Sequence, residues 1–261
     1  MAAINIDLCQ ALINSAQRGD LLGVINLLAQ GADPSYQASM ALREAAQNGH
    51  AECVKLLIPA SNPKTNESEP LRMAAFYGHA QCVEILIPAS DPKANDSWAL
   101  CQAACNGHAE CVELLIPVSD PKANVSYSLR WAAAGAHAEC VKLLIPVSDS
   151  EAYESEALSR AVAKGHADCV KLLAPVSGLL FKNKKALESV LFLGHANILS
   201  IMLACEPLLL SGLNLSRRRD ASTANGHVEM AALLSSIIEQ KALAANLPPP
   251  ASSSAPTTPR L

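Results

Sequence analysis

An eleven-residue segment recurs at a fixed interval along most of the chain, and this periodicity constrains the fold more than any other feature. The first copy, GHAECVKLLIP, begins at Gly49, and four close copies begin at Gly78, Gly107, Ala136 and Gly165. From His50 to His195, six histidines follow one another at intervals of 29 residues. Self-similarity at about 20–50 residues is typical of stacked repeat arrays. We therefore expect an elongated solenoid in which each unit contacts only its neighbours.

The recurring residues of one unit predict two short helices. Ser39 carries the hydroxyl of a good N-cap for MALREAAQ, and Gly49 ends that segment. The second helix runs through AECVKLLI, whose apolar residues recur at three- and four-residue steps, and Pro59 ends it. Two adjacent alanines, Ala45 and Ala46, are small enough for neighbouring helices to approach closely. Such short helices cannot bury so wide an apolar surface alone, so stacked neighbours must cover it.

The unit resembles the ankyrin repeat in its order of Leu, Ala-Ala, Gly-His and a Val-x-x-Leu-Leu helix. The first unit, ALINSAQRGDLLGVINLLAQGADPS, is the most similar, because it ends in the Gly31-Ala32-Asp33-Pro34 of that family. The resemblance covers about residues 5–240 and implies an all-α helical solenoid. The unit is shorter than the typical 33 residues, SEPL or SWAL replaces Thr-Pro-Leu-His, and Pro replaces the Gly-Ala that ends the second helix. We therefore expect short turns such as SDPKAND in place of projecting β-hairpins.

The periodicity also divides the chain into domains. We expect a repeat domain over residues 1–240, with a divergent first unit at about 5–38, five close copies at 39–183 and two degenerate units at 184–240. Terminal units diverge because they present a polar outer face to solvent. Residues 241–261, with LPPPASSSAPTTPRL from Leu247, form a Pro/Ser-rich tail that we expect to be disordered. We expect the protein to be a monomer.

The recurring His, Glu and Cys side chains raise the question of a catalytic or metal site. Zinc deaminases use H-x-E followed by P-C-x-x-C, but this chain has no P-C-x-x-C, and the acidic position becomes Gln81 and Asn197 in other copies. Equivalent residues of stacked helices lie about 8–10 Å apart, too far to share an ion or to form a disulfide. We therefore expect no catalysis and no cofactor, and we interpret the repeated cysteines as small core residues.

Two local points remain from the recurring His and Cys residues. The ankyrin resemblance implies that the recurring His hydrogen-bonds neighbouring backbone. Cys101, Cys105 and His108 could meet on one helical edge, and the sequence alone leaves a metal site there open.

Composition predicts a protein of the cytoplasm with no membrane association. The N-terminal sequence has no basic segment followed by an unbroken apolar run, as a signal peptide would. The most apolar region, from Ser189, is interrupted by His195, Asn197, Glu206 and Pro207, whereas a membrane span needs about 18 consecutive apolar residues. Nine cysteines without an export signal favour reduced thiols.

Binding residues are expected among the positions that vary between units. The two residues before each Gly-His turn change freely, and the resemblance implies that this pair faces a concave groove and contacts partners. Aromatic residues and arginine are enriched at binding hot spots, and they gather in the second to fourth close copies. The predicted partner-binding residues are Phe76, Tyr77, Arg72, Trp98, Asn106, Tyr127, Arg130 and Trp131.

The sequence therefore predicts a module that binds an unidentified partner protein. One alternative is an ankyrin effector that a bacterium or virus delivers into the cytoplasm of a host cell. Another is nucleic-acid binding through the basic clusters FKNKK (181–185) and RRR (217–219), which we do not expect, because such clusters more often form a solvated face.

Overall fold

The computed structural model describes residues 5–177 and 184–246, and within them 16 α-helices form eight successive helix pairs without a strand. The first helices of the pairs are α1 (Ile6–Arg18), α3 (Tyr36–Gln47), α5 (Thr65–Tyr77), α7 (Ala94–Cys105), α9 (Ala123–Ala134), α11 (Ala152–Lys164), α13 (Lys184–Leu193) and α15 (Leu215–Ala224). The second helices are α2 (Leu21–Ala29), α4 (Ala51–Leu57), α6 (Ala80–Leu86), α8 (Ala109–Leu115), α10 (Ala138–Leu144), α12 (Ala167–Leu173), α14 (Ala196–Cys205) and α16 (Val228–Asn246). The predicted all-α solenoid is confirmed.

The ends of the described segments bear on two of the sequence predictions. Helix α16 continues to Asn246, so helical structure extends past residue 240, where we expected the tail to begin. The Pro-rich stretch from Leu247 onward lies outside the described residues, as does the start of the basic cluster, Phe181–Asn183.

The turn between the two helices of a unit depends on glycine. In the first close copy, Gly49 has a φ of 78°, and the His50 N–H donates to the carbonyl oxygen of Ala45 at 2.9 Å. This geometry, with a left-handed residue after the last turn, closes many helices. Helix α4 then ends at Leu57 and passes into a 3₁₀ turn, Ile58–Ala60, that contains Pro59. Both predicted helix ends are therefore confirmed.

The recurring serine joins each helix pair to the loop that leads into the next pair, and our prediction that Ser39 caps its own helix is wrong. Ser39 is the last of three residues in a left-handed turn, with φ angles of 49°, 55° and 61°. Its Oγ accepts a hydrogen bond from the backbone N–H of Asn62, in the loop that leads into the next helix pair, at 2.9 Å. The same bond, at 2.8 Å, joins the N–H of Asp91 to Ser68, of Asp120 to Ser97 and of Asp149 to Ser126.

The core consists of aliphatic residues and thiols repeated from unit to unit. Leu57, Leu86 and Leu115 are fully buried at one equivalent position. The equivalent thiols are buried too, and this burial raises the pKa of Cys82 and of Cys111 to about 11. These thiols are therefore protonated at neutral pH and pack as small apolar side chains, as predicted.

The first helices pack more closely than the second helices. From α1 to α13, successive first helices make more extensive contact with one another than the successive second helices of the same units do, in part because they are longer. The alanine pairs permit this close approach, because Ala45, Ala46, Ala74 and Ala75 are all fully buried. We infer that the stack bends with its first helices along the inner side.

Candidate functional site

The residue eight positions after the recurring Ser contributes its backbone to the scaffold. His79 donates a hydrogen bond from Nε2 to the carbonyl oxygen of Gln47 in the preceding unit, at 3.0 Å. Because a carbonyl oxygen only accepts, Nε2 carries the hydrogen. Equivalent bonds of 2.9–3.1 Å join His50 to Gln17, His108 to Phe76, His137 to Cys105, His166 to Ala134 and His227 to Phe192. The predicted role of the histidines is confirmed.

These bonds hold the backbone and leave the side chain at the same position unconstrained. Residues one, five, eight and nine positions after the recurring Ser share one side of each first helix, because positions one and five are four residues apart and positions eight and nine follow position five by three and four. We call this side the groove face. It lies opposite the buried leucine and alanine pair of each first helix, so the side chains on it can differ from unit to unit.

Three of the predicted site residues form an aromatic row on the groove face. The ring centroids of Trp98 and Tyr127, in adjacent units, lie 5.8 Å apart, and those of Tyr127 and Trp131 lie 5.6 Å apart. All three side chains are half-buried. The indole N–H of Trp131 is buried and has no hydrogen-bond acceptor among the described residues. The row therefore packs partly against the scaffold and still presents ring surface to the groove.

A carboxylate that we did not predict orders two arginines beside this row. Glu156 bonds Nη1 of Arg130 at 2.5 Å and, through its other oxygen, Nε and Nη2 of Arg160 at 3.0 and 2.7 Å. Partial burial acts to raise the pKa of Glu156, but the two arginines outweigh it, and its pKa lies below the usual value. The ionised carboxylate holds the Arg160 guanidinium 4.9 Å from the centre of the Trp131 ring.

The same carboxylate changes the interpretation of Arg130. Arg130 is only 8% exposed, and its Nη2 donates to the carbonyl oxygen of Asn124 at 2.9 Å. Arg72 is equivalent and donates from Nη2 to the carbonyl oxygen of Asn66 at 2.7 Å. Both arginines therefore stabilise the left-handed turn within the first residues of their own helix.

Asn106 is also engaged within the scaffold. Its amide donates from Nδ2 to the carbonyl oxygen of Gln102, at 2.8 Å, near the end of its own helix. Asn48 makes the same bond to Glu44. The side chain of Asn106 is therefore bonded to its own helix. Because it is half-buried, only part of its surface is open to the groove.

Phe76 and Tyr77 form a second aromatic group, two units nearer the N-terminus than Trp131. They are 36% and 47% exposed, and their rings meet edge to face with centroids 4.8 Å apart. Tyr77 also stacks on the His79 ring at 6.4 Å. These are the most exposed aromatic residues of the predicted site.

A pocket of about 420 Å³ opens on the groove face beside Trp131, and we call it the Trp131 pocket. Small residues line part of it, namely Ala134, Gly135 and Ala163. Arg160 and Lys164 also line it and bring positive charge to an otherwise apolar site. The sequence analysis missed this pocket, although Arg160 and Lys164 occupy the same positions, five and nine after the Ser, as predicted residues of earlier units.

The structure also covers the remaining candidate features of the sequence, as far as they lie in residues 5–177 and 184–246. Within the described residues, no group of three or more His, Cys, Asp or Glu side chains is arranged to hold a metal ion. Cys101 is buried, and burial is the main reason that its pKa is raised to about 12. In the basic cluster at 217–219, Arg219 pairs with Asp220 at 2.7 Å. Every helix in residues 5–177 and 184–246 is too short or too polar to cross a membrane.

Comparisons with known proteins bear on the whole array. A family model described as ankyrin repeats (3 copies) matches residues 12–96 and 100–184, together 170 of the 261 residues. The crystal structure of the human ASB11 ankyrin repeat domain is similar, with a TM-score of 0.56 and 24% sequence identity over 64% of this chain and 83% of that chain. At this identity the likeness shows the fold alone. No curated protein matches the sequence.

Proposed function

Because the chain belongs to the ankyrin repeat family, we propose that it binds a partner protein through the groove face and performs no catalysis itself. Ankyrin repeats generally act as protein-interaction modules. The proposal places the site at repeats that carry exposed aromatic side chains and places the protein in the cytoplasm of its cell or of a host.

The main support for this proposal is that, at the groove positions, the backbone contacts the scaffold while the side chain projects away from it. The carbonyl of Phe76 accepts a hydrogen bond from His108, while the Phe76 ring projects from the scaffold and is 36% exposed. Folding does not require bulk there, because Ala134 makes the same backbone bond to His166. Exposed aromatic side chains that folding does not need are typical of binding hot spots.

The test is the double substitution Phe76→Ala/Tyr77→Ala. The partner is first captured from the source organism and its contacts are mapped by crosslinking. Loss of hot-spot aromatics typically costs about 2 kcal/mol of binding, which corresponds to roughly thirtyfold weaker affinity. We expect circular dichroism and melting temperature to stay close to wild type.

The matched control is Lys55→Ala, on the exposed side of the second helix α4. It should leave both affinity and folding unchanged. Wild-type affinity in a folded Phe76→Ala/Tyr77→Ala variant would move the site away from these two residues. Loss of folding would show that the two rings belong to the core.

A further inference from the structure

We propose that the Trp131 pocket receives an acidic segment of the partner, with an apolar side chain in the pocket and neighbouring carboxylates on Arg160 and Lys164. This inference rests on the proposed function and gives the partner's contacting segment a chemical class.

The pocket exists because two successive units have small residues where other units have large ones. Ala134 and Gly135 occupy positions eight and nine of one unit, and Ala163 occupies position eight of the next. The same positions hold Phe76 and Tyr77 nearer the N-terminus, and Phe192 and Leu193 nearer the C-terminus. A depression of about 420 Å³ therefore lies between bulkier stretches of the groove face, and its size falls within the roughly 300–1,000 Å³ of typical ligand sites.

Positive charge exceeds negative charge around the pocket. Arg160 and Lys164 line the pocket, and no carboxylate of the described residues does, because Glu156 lies behind Arg160 and bonds both Arg130 and Arg160. Lys164 is exposed, and none of the described carboxylates lies within ion-pair distance of it. The whole chain carries a net charge of −4, so the charge of the pocket is opposite in sign to the net charge of the chain. A segment with Asp or Glu residues complements this charge, whereas a basic segment would be repelled.

The arginine at the pocket is held in place before any partner binds. Glu156 takes the Nε and Nη2 donors of Arg160, and the Trp131 ring lies under its guanidinium at 4.9 Å. The remaining Nη1 can donate to a carboxylate of the partner. Because the side chain is already ordered, binding loses less rotamer entropy than it would with a free arginine.

The surroundings of the pocket favour a peptide over a nucleic acid. A phosphate backbone needs a continuous track of cations. The Trp98–Tyr127–Trp131 row offers ring faces on which bases stack, but the two cations of the pocket, Arg160 and Lys164, do not form such a track, because this row lies on one side of them and Phe192 with Leu193 on the other. A short acidic cluster beside apolar residues fits this order.

The probe for this inference is an array of random 15-residue peptides without compositional bias. We expect the labelled wild-type protein to retain peptides enriched in Asp and Glu next to Leu, Ile, Val or Met. One retained peptide is then measured by fluorescence anisotropy against two variants. Lys164→Glu should weaken its binding about tenfold or more, as expected for the loss of roughly one close ion pair. Ala163→Leu, which fills the pocket at a position where Phe76 and Phe192 are tolerated, should weaken it as well.

The control is Lys171→Glu, which makes the same charge change on the exposed side of α12 in the same unit. It should change affinity less than twofold, a rough limit for a distant screened charge. The inference is overturned if no acidic peptide is retained, if Lys164→Glu and Lys171→Glu behave alike, or if a 20-nucleotide single strand binds more tightly than the peptides. A further outcome is that binding of the retained peptides depends on Phe76 and Tyr77 but not on Lys164. This result would support the proposed function and contradict the inference of an acidic segment.

Discussion

Each first helix has two sides, and the two sides obey different constraints. On the buried side, Leu71, Ala74 and Ala75 are fully enclosed, and their equivalents are repeated almost without change. On the groove face, Phe76 gives way to Cys105, Ala134 and Ala163 in the next three units. Both sides belong to the same helices, so secondary structure does not explain the difference. The groove face varies because its scaffold contacts are made by backbone atoms that every residue has.

The largest expected effect is on the buried side. Leu86→Ala should lower the free energy of unfolding by about 2–5 kcal/mol, because α6 packs between α4 and α8 and a cavity there opens at both interfaces. Denaturant melts measure the loss, with the exposed Glu84→Ala on the same helix as the control. If the free energy of unfolding of Leu86→Ala lay within about 0.5 kcal/mol of wild type, the range of surface substitutions, the buried side would be no more constrained than the groove face.

A smaller effect is expected at the serine that joins two units. Ser97→Ala leaves the backbone N–H of Asp120 without its acceptor, and because this bond is only half-buried, its loss should cost about 0.5–1.5 kcal/mol. The same melts compare it with Glu113→Ala, an exposed residue of the second helix in that unit. Equal stability of the two variants would mean that water replaces the hydroxyl and that the serine does not couple neighbouring units.

The smallest effect is a gain at the one close copy that lacks the turn glycine. Ala136 has a φ of 64°, a left-handed conformation that costs a residue with a Cβ roughly 1–2 kcal/mol. Glycine recovers part of this cost but loses more chain entropy on folding. Ala136→Gly should therefore raise stability by about 0.5–1 kcal/mol, which is measured as a higher melting temperature.

The reverse substitution sharpens this prediction. Gly107 has a φ of 80°, and an added Cβ would lie 2.4 Å from Nδ1 of His137. Gly107→Ala should therefore lose more stability than Ala136→Gly gains. A neutral Gly107→Ala would show that the turn does not need glycine and that the histidine ring can move aside.

Much of the buried side could be predicted from the sequence. Gly49 and Pro59 end helices because of their own backbone restrictions, and a 29-residue period places Leu57 and its equivalents at one position. Both inferences need only local chemistry and spacing. The serine was assigned wrongly because an N-cap and an acceptor for the next unit place the same hydroxyl at the same point before a helix. Only the left-handed turn at Gln37–Ser39 distinguishes them.

The groove was harder to predict for a different physical reason. The aromatic residues were visible as departures from the repeat, and the structure brings Trp98, Tyr127 and Trp131 together. Arg130, by contrast, is buried against Glu156, 26 residues along the chain. The Trp131 pocket exists because Ala134 and Gly135 have no large side chain. The size of such a pocket is set by the residues that surround it in three dimensions, which the sequence does not list together.

The histidine–carbonyl bonds also bear on how such a chain can change length. The histidine bonds of the close copies span 32 or 33 residues and join a unit to the preceding one, whereas the serine bonds span 23 residues and end in the loop that leads into the next helix pair. Duplication or deletion of a whole 29-residue unit preserves every donor–acceptor pair of this kind, whereas an insertion of another length moves His from its carbonyl. Unequal recombination in whole units therefore keeps the array foldable, and each event adds or removes one pair of groove side chains.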